Sequence, residues 1–77
     1  MTIIQILGTG CSRCKKLMEN AEKAARELDG NYEVIKVTDI KEILKFGILM
    51  TPALAVDNEV KSAGKVLSPE EIKAIIS

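Results

Sequence analysis

Histidine and tryptophan are both missing from the 77 residues, and the aromatic set is reduced to Tyr32 and Phe46. Without histidine there are no histidine bases, Cys-His nucleophilic pairs or histidine metal ligands, so hydrolases built on them are excluded. Two aromatics provide no stacking surface for nucleobases. An excess of one charge is missing too: eleven Lys and Arg balance eleven Asp and Glu. Like charges run no longer than pairs such as Lys15-Lys16 and Glu70-Glu71, which leaves no electrostatic footprint for nucleic acid or an anionic membrane.

Long apolar runs are also absent. Stretches such as Ile48-Leu49-Met50 and Ala53-Leu54-Ala55-Val56 fall far short of a bilayer span. The N-terminus has no basic flank before its short apolar run, unlike a signal peptide, so the expected address is the cytoplasm. A hydrophobic content of 47%, including ten isoleucines, can build one compact core. At this length, the expectation is a single domain over residues 1–77.

What is present is a pair of cysteines, the only two, in Gly8-Thr9-Gly10-Cys11-Ser12-Arg13-Cys14. Met1 to Leu7 reads as a strand, the GTG segment as a turn and Lys15 to Leu28 as a helix with an apolar stripe of Leu17, Ala21, Ala24 and Leu28. Cys11 would then face the positive end of a helix dipole, which stabilises the attacking thiolate. Positions i and i+3 share a face of the first turn, so the second sulfur can reach the first. In a reducing compartment such a pair is expected to be catalytic or metal-binding rather than a staple. Arg13, Lys15 and Lys16 add positive charge nearby.

Asp29-Gly30-Asn31 stops the helix, and Tyr32 to Val37 forms a second strand that must run parallel to the first, because a helical crossover separates them. Asp39 with Glu42 opens a short helix that Gly47 closes. Ala53 to Val56 and Glu59 to Ala63 flank Asp57-Asn58 as a tight hairpin. Ser68-Pro69-Glu70-Glu71 starts a last helix with Ile72, Ile75 and Ile76 on its buried side. The order is β-α-β-α-β-β-α, an α/β chain.

Thr51-Pro52 falls between a helix end and the first hairpin strand. A cis bond there would expose the Thr51 backbone beside the dithiol, where an extended substrate segment could pair with it. Gly64 ends the second hairpin arm and could be a plain strand terminator.

Taken together, Cys11-Ser12-Arg13-Cys14 after a strand, Phe46-Gly47-Ile48 before Thr51-Pro52, Asp57-Asn58-Glu59-Val60, and Gly64-Lys65-Val66-Leu67-Ser68 resemble the thioredoxin family over nearly the whole chain. The brevity is most similar to the small thioredoxin/glutaredoxin-like redox-active disulfide proteins of archaea and bacteria. The resemblance implies a four-stranded mixed sheet with helices on both faces. It implies Cys11 as nucleophile, Cys14 as resolving thiol, Thr51 and a cis Pro52 as the substrate-facing loop, and Gly64 as the glycine that lets a substrate backbone approach. It further implies no cofactor and no metal, with protein disulfides and an electron-supplying reductase as partners of a monomer. Three features depart from the family pattern. Ser12-Arg13 stands between the cysteines in place of Gly-Pro or Pro-Tyr, Gly10 replaces the usual tryptophan, and Gln5 occupies the position of a buried carboxylate. Lacking that proton acceptor, resolution should be slow and rise with pH. The paired glycines of glutathione-using relatives are not evident around Ala63-Gly64-Lys65, which favours a protein dithiol partner.

The alternative is a soft-metal, copper-carrying module using the same CxxC. Small copper carriers run β-α-β-β-α-β and commonly place a methionine two residues before the first cysteine, where this chain has Thr9. A structural zinc site would find only two of its usual four ligands. A non-enzymatic interaction module is the third reading, should the dithiol prove unreactive.

Overall fold

The computed structural model describes residues 2–10, 12–28, 30–48 and 50–76. Cys11 therefore lies outside the described residues. Seven elements follow in the expected order: β1 (Thr2–Leu7), α1 (Ser12–Glu27), β2 (Tyr32–Val37), α2 (Ile40–Lys45), β3 (Ala53–Val56), β4 (Glu59–Ala63) and α3 (Pro69–Ile76). The strands form one mixed sheet in the order β2-β1-β3-β4. β1 pairs parallel with β2, Thr2 opposite Tyr32 through Leu7 opposite Val37, as the intervening helix demands. β1 with β3, and β3 with β4, are antiparallel.

The central strands β1 and β3 are nearly continuous apolar runs because both sheet faces are covered. On one face Ile4, Ile6 and Leu54 pack with Leu17, Ala21 and Ala24 of α1 and Ile72 of α3. On the other, Leu7, Ala53 and Ala55 pack with Ile43 of α2 and with Ile48. Alternation along each strand thus divides the core in two, with helices on both sides. Helix α1 is amphipathic, and Cys14 belongs to its buried stripe with Leu17, Ala21 and Ala24.

Local chemistry sets the boundaries. Asp57 and Asn58 both have positive φ, 50° and 69°, as a two-residue hairpin turn requires. Asp57 is also tied to β1, its N–H donating to the Ile3 carbonyl at 2.8 Å and its Oδ1 accepting from the Ile3 N–H at 2.9 Å. Asp39 caps α2 by accepting from the Lys41 N–H, and Gly47, at φ 77°, ends it. Ser68 and Glu71 cap α3 reciprocally: Ser68 N–H to Glu71 Oε1 at 3.0 Å and Glu71 N–H to Ser68 Oγ at 3.2 Å.

Two details differ from the sequence expectation. Helix α1 begins at Ser12 rather than Lys15, so the helical turn includes the residues between the cysteines. The β3–β4 ladder shifts register between Leu54 and Ala55: Ala55 faces Val60 while Leu54 faces Ser62. Lys61 is the extra residue of this bulge, which turns Val60 and Ser62 to opposite sides of the sheet. Among the described residues no helix is long and apolar enough to cross a membrane.

Candidate active site

The site forms at the carboxyl end of β1, where the chain turns into α1. Gly10, at φ 96°, makes the turn possible. Cys14 follows on the first turn of α1 and is buried, with 5% of its surface exposed. The helix carries no acidic residue in its first turn, so nothing there cancels the positive end of its dipole.

Gly8 explains how the thiol is seated. A Cβ on Gly8 would stand 2.3 Å from Cys14 Sγ and 3.9 Å from Pro52 Cα. The missing side chain is therefore the space into which the sulfur fits, with the proline loop alongside. The Thr51-Pro52 bond is cis; Thr51 is exposed, while Pro52 is among the fully buried side chains.

Gly64 joins the same circuit. Its N–H donates to the Pro52 carbonyl at 2.8 Å, and its carbonyl accepts from Arg13 Nη2 at 3.0 Å. It has φ 77°, and a Cβ there would meet the Met50 side chain at 3.0 Å. Met50 is itself 63% exposed. The structure thus brings together Cys14, Pro52 and Gly64, through Gly8 on one side and Arg13 on the other, with Thr51 at the rim; Cys11 lies outside the described residues.

Three contributors went unread in the sequence. The sequence reads Gly8 as part of a turn, Arg13 as general positive charge, and Met50 as part of a short apolar stretch. The signal for Gly8 was there: a small residue at the end of the strand, six positions before a cysteine that enters the core. Gln5, at the position that the resemblance gives to a carboxylate, is engaged by the hairpin turn. It is 7% exposed, its Nε2 donates to Asn58 Oδ1 at 2.8 Å and its Oε1 accepts from the Asn58 N–H at 2.8 Å. Both ends of the amide hold the hairpin turn.

A buried helix-start cysteine packed beside a cis-proline loop on a four-stranded mixed sheet is the arrangement of a thiol–disulfide exchange domain. The order, with α2 between β2 and β3, is also the one expected for that class and not for a copper carrier. The thioredoxin domain family matches residues 2–77. The chain is 47% identical over 77 residues, the whole of both chains, to a thioredoxin of Methanothermobacter thermautotrophicus. It is 44% identical over 73 residues to a thioredoxin of Methanocaldococcus jannaschii, covering 95% of this chain and 84% of that one. The chain belongs to the thioredoxin family and is a thiol–disulfide oxidoreductase.

Proposed function

We propose that the protein exchanges disulfides of protein substrates through Cys11 as attacking thiol and Cys14 as resolving thiol, with Thr51, Pro52 and Gly64 lining the path of the substrate chain. The supporting observation is the burial of Cys14 against Gly8 and beside Pro52. A thiol held there is shielded from the substrate and suited to the second step. The Cys11 thiolate attacks one sulfur of the substrate, forming a mixed disulfide and expelling a substrate thiolate that takes up a proton. Cys14 then loses its proton and attacks Cys11 Sγ, the Cys11-Cys14 disulfide forms, and the second substrate thiol leaves. Two electrons and two protons pass to the substrate, and a reductase restores the dithiol. Two cysteines in this spacing suit a reducing compartment, so the reading places a single 1–77 domain, acting as a monomer, in the cytoplasm.

Trapping tests the roles. Incubated with a disulfide-bearing peptide, Cys14→Ser should accumulate a mixed disulfide through Cys11, located by mass spectrometry, whereas Cys11→Ser should accumulate none. The reverse pattern, or no adduct with either variant, would overturn the assignment.

A further inference from the structure

Both main-chain groups of Gly64 are engaged in this structure. Its N–H is engaged with the Pro52 carbonyl at 2.8 Å, and its carbonyl is engaged with Arg13 Nη2 at 3.0 Å across 51 positions of sequence. The two bonds differ in how readily they yield. The first joins neighbouring backbone segments beside a buried proline. The second is an exposed contact made by the tip of a long, exposed side chain to a neutral acceptor. A guanidinium has five N–H donors in a fork that matches a carboxylate, and its bonds to an ionised acceptor are about twice as strong as neutral ones. Among the described residues, no carboxylate lies within ion-pair distance of Arg13. The cation is thus held beside Gly64 by a neutral acceptor alone; Lys15 and Lys16, shortly after it in the chain, and Lys65, next to Gly64, are exposed as well.

We propose that Arg13 is a specificity-determining residue that selects substrates carrying a carboxylate side chain next to the disulfide. The carboxylate draws the guanidinium off Gly64, and the released Gly64 carbonyl then accepts a main-chain N–H of the substrate. Recognition of charge and docking of backbone are thereby one exchange of hydrogen bonds at one arginine. This rests on the exchange reaction proposed for Cys11 and Cys14, and adds to it the chemistry of the preferred substrate.

Two synthetic disulfide peptides that differ only in Glu or Gln beside the disulfide cysteine test it, with kcat/KM measured for the wild type, Arg13→Gln, Arg13→Lys and Arg13→Glu. The wild type should favour the Glu peptide by roughly two- to fivefold, the range of an exposed ion pair, and the preference should shrink as ionic strength rises. Arg13→Lys should keep part of it, Arg13→Gln should abolish it, and Arg13→Glu should invert it. A wild type that reduces both peptides equally would overturn the role of Arg13 alone. So would an Arg13→Glu variant with the wild-type preference, or an Arg13→Gln variant that slows both peptides by the same factor. A wild type that reduces neither peptide would instead bring down the dithiol reading beneath it.

Discussion

Cys14 Sγ occupies the place where a side chain on Gly8 would begin, 2.3 Å from the position of its Cβ. The contact joins the end of β1 to the first turn of α1 and fixes the depth at which the resolving thiol sits. Gly8 is needed here for space, since the nearest neighbour is a sulfur held by a buried helix face. Gly8→Ala should push that sulfur or the start of α1 outward. Overpacking of this kind costs about 1–3 kcal/mol, so denaturant unfolding should show a loss in that range. The mixed disulfide should also resolve more slowly in stopped-flow kinetics. A folded Gly8→Ala variant with wild-type stability and resolution would show that Cys14 seats itself independently of Gly8.

Much of the fold was legible because its signals are local. Asp57-Asn58 between alternating strands, Ser68 with Glu71, and Gly47 after a short apolar helix each specify a turn or cap through their own backbone chemistry, and each stands where it was expected. The pairing of Arg13 with Gly64 and of Gln5 with Asn58 spans 51 and 53 positions. No local pattern encodes such contacts; they exist because β1 and β3 are neighbours in the sheet and β4 ends beside the helix start. The bulge opposite Ala55 was hidden for a similar reason, since Glu59 to Ala63 reads as an uninterrupted strand. The apolar pattern of the sequence begins α1 only at Lys15 because Ser12 and Arg13 carry no apolar periodicity, and it is Cys14 entering the core that marks the face of the helix.

Gln5 was expected to mark a missing proton acceptor, but its amide is engaged at both ends by Asn58. Its contribution should therefore appear in stability and not in chemistry. Gln5→Leu removes two part-buried hydrogen bonds, each worth about 0.5–1.5 kcal/mol net. The loss should fall near the lower end per bond, because Asn58 is exposed and water can replace its partner. Resolution of the mixed disulfide should be unchanged from the wild type at every pH. A resolution rate that drops in Gln5→Leu while stability holds would return Gln5 to the reaction.

The cap of α3 and the Glu27–Lys73 pair between α1 and α3 each contribute to the pH dependence of stability. The Glu71 carboxyl is held below its ordinary value of 4.5, first by the Ser68 backbone N–H and then by the Ser68 side chain. Glu27 is lowered as well, chiefly by its hydrogen bond with Lys73, and the same contact raises Lys73 above its ordinary 10.5. A carboxylate with a lowered folded-state value binds its proton less readily folded than unfolded. Its contribution is complete above the unfolded value and is lost as pH falls through the folded one. For Lys73 the sign is opposite: its contribution is full below the unfolded value and disappears as pH rises through the raised folded value. Around neutral pH both are present. Ser68→Ala should cost about 1 kcal/mol there through loss of the cap. Glu71→Gln and Glu27→Gln should each be less stable than the wild type at neutral pH, and the differences should close as pH drops below the folded-state values of the two carboxyls. In Lys73→Met the Glu27 titration, followed by NMR, should move back up toward 4.5. Differences that persist unchanged into acid would show that packing, and not the charge of these carboxylates, joins α3 to the rest of the molecule.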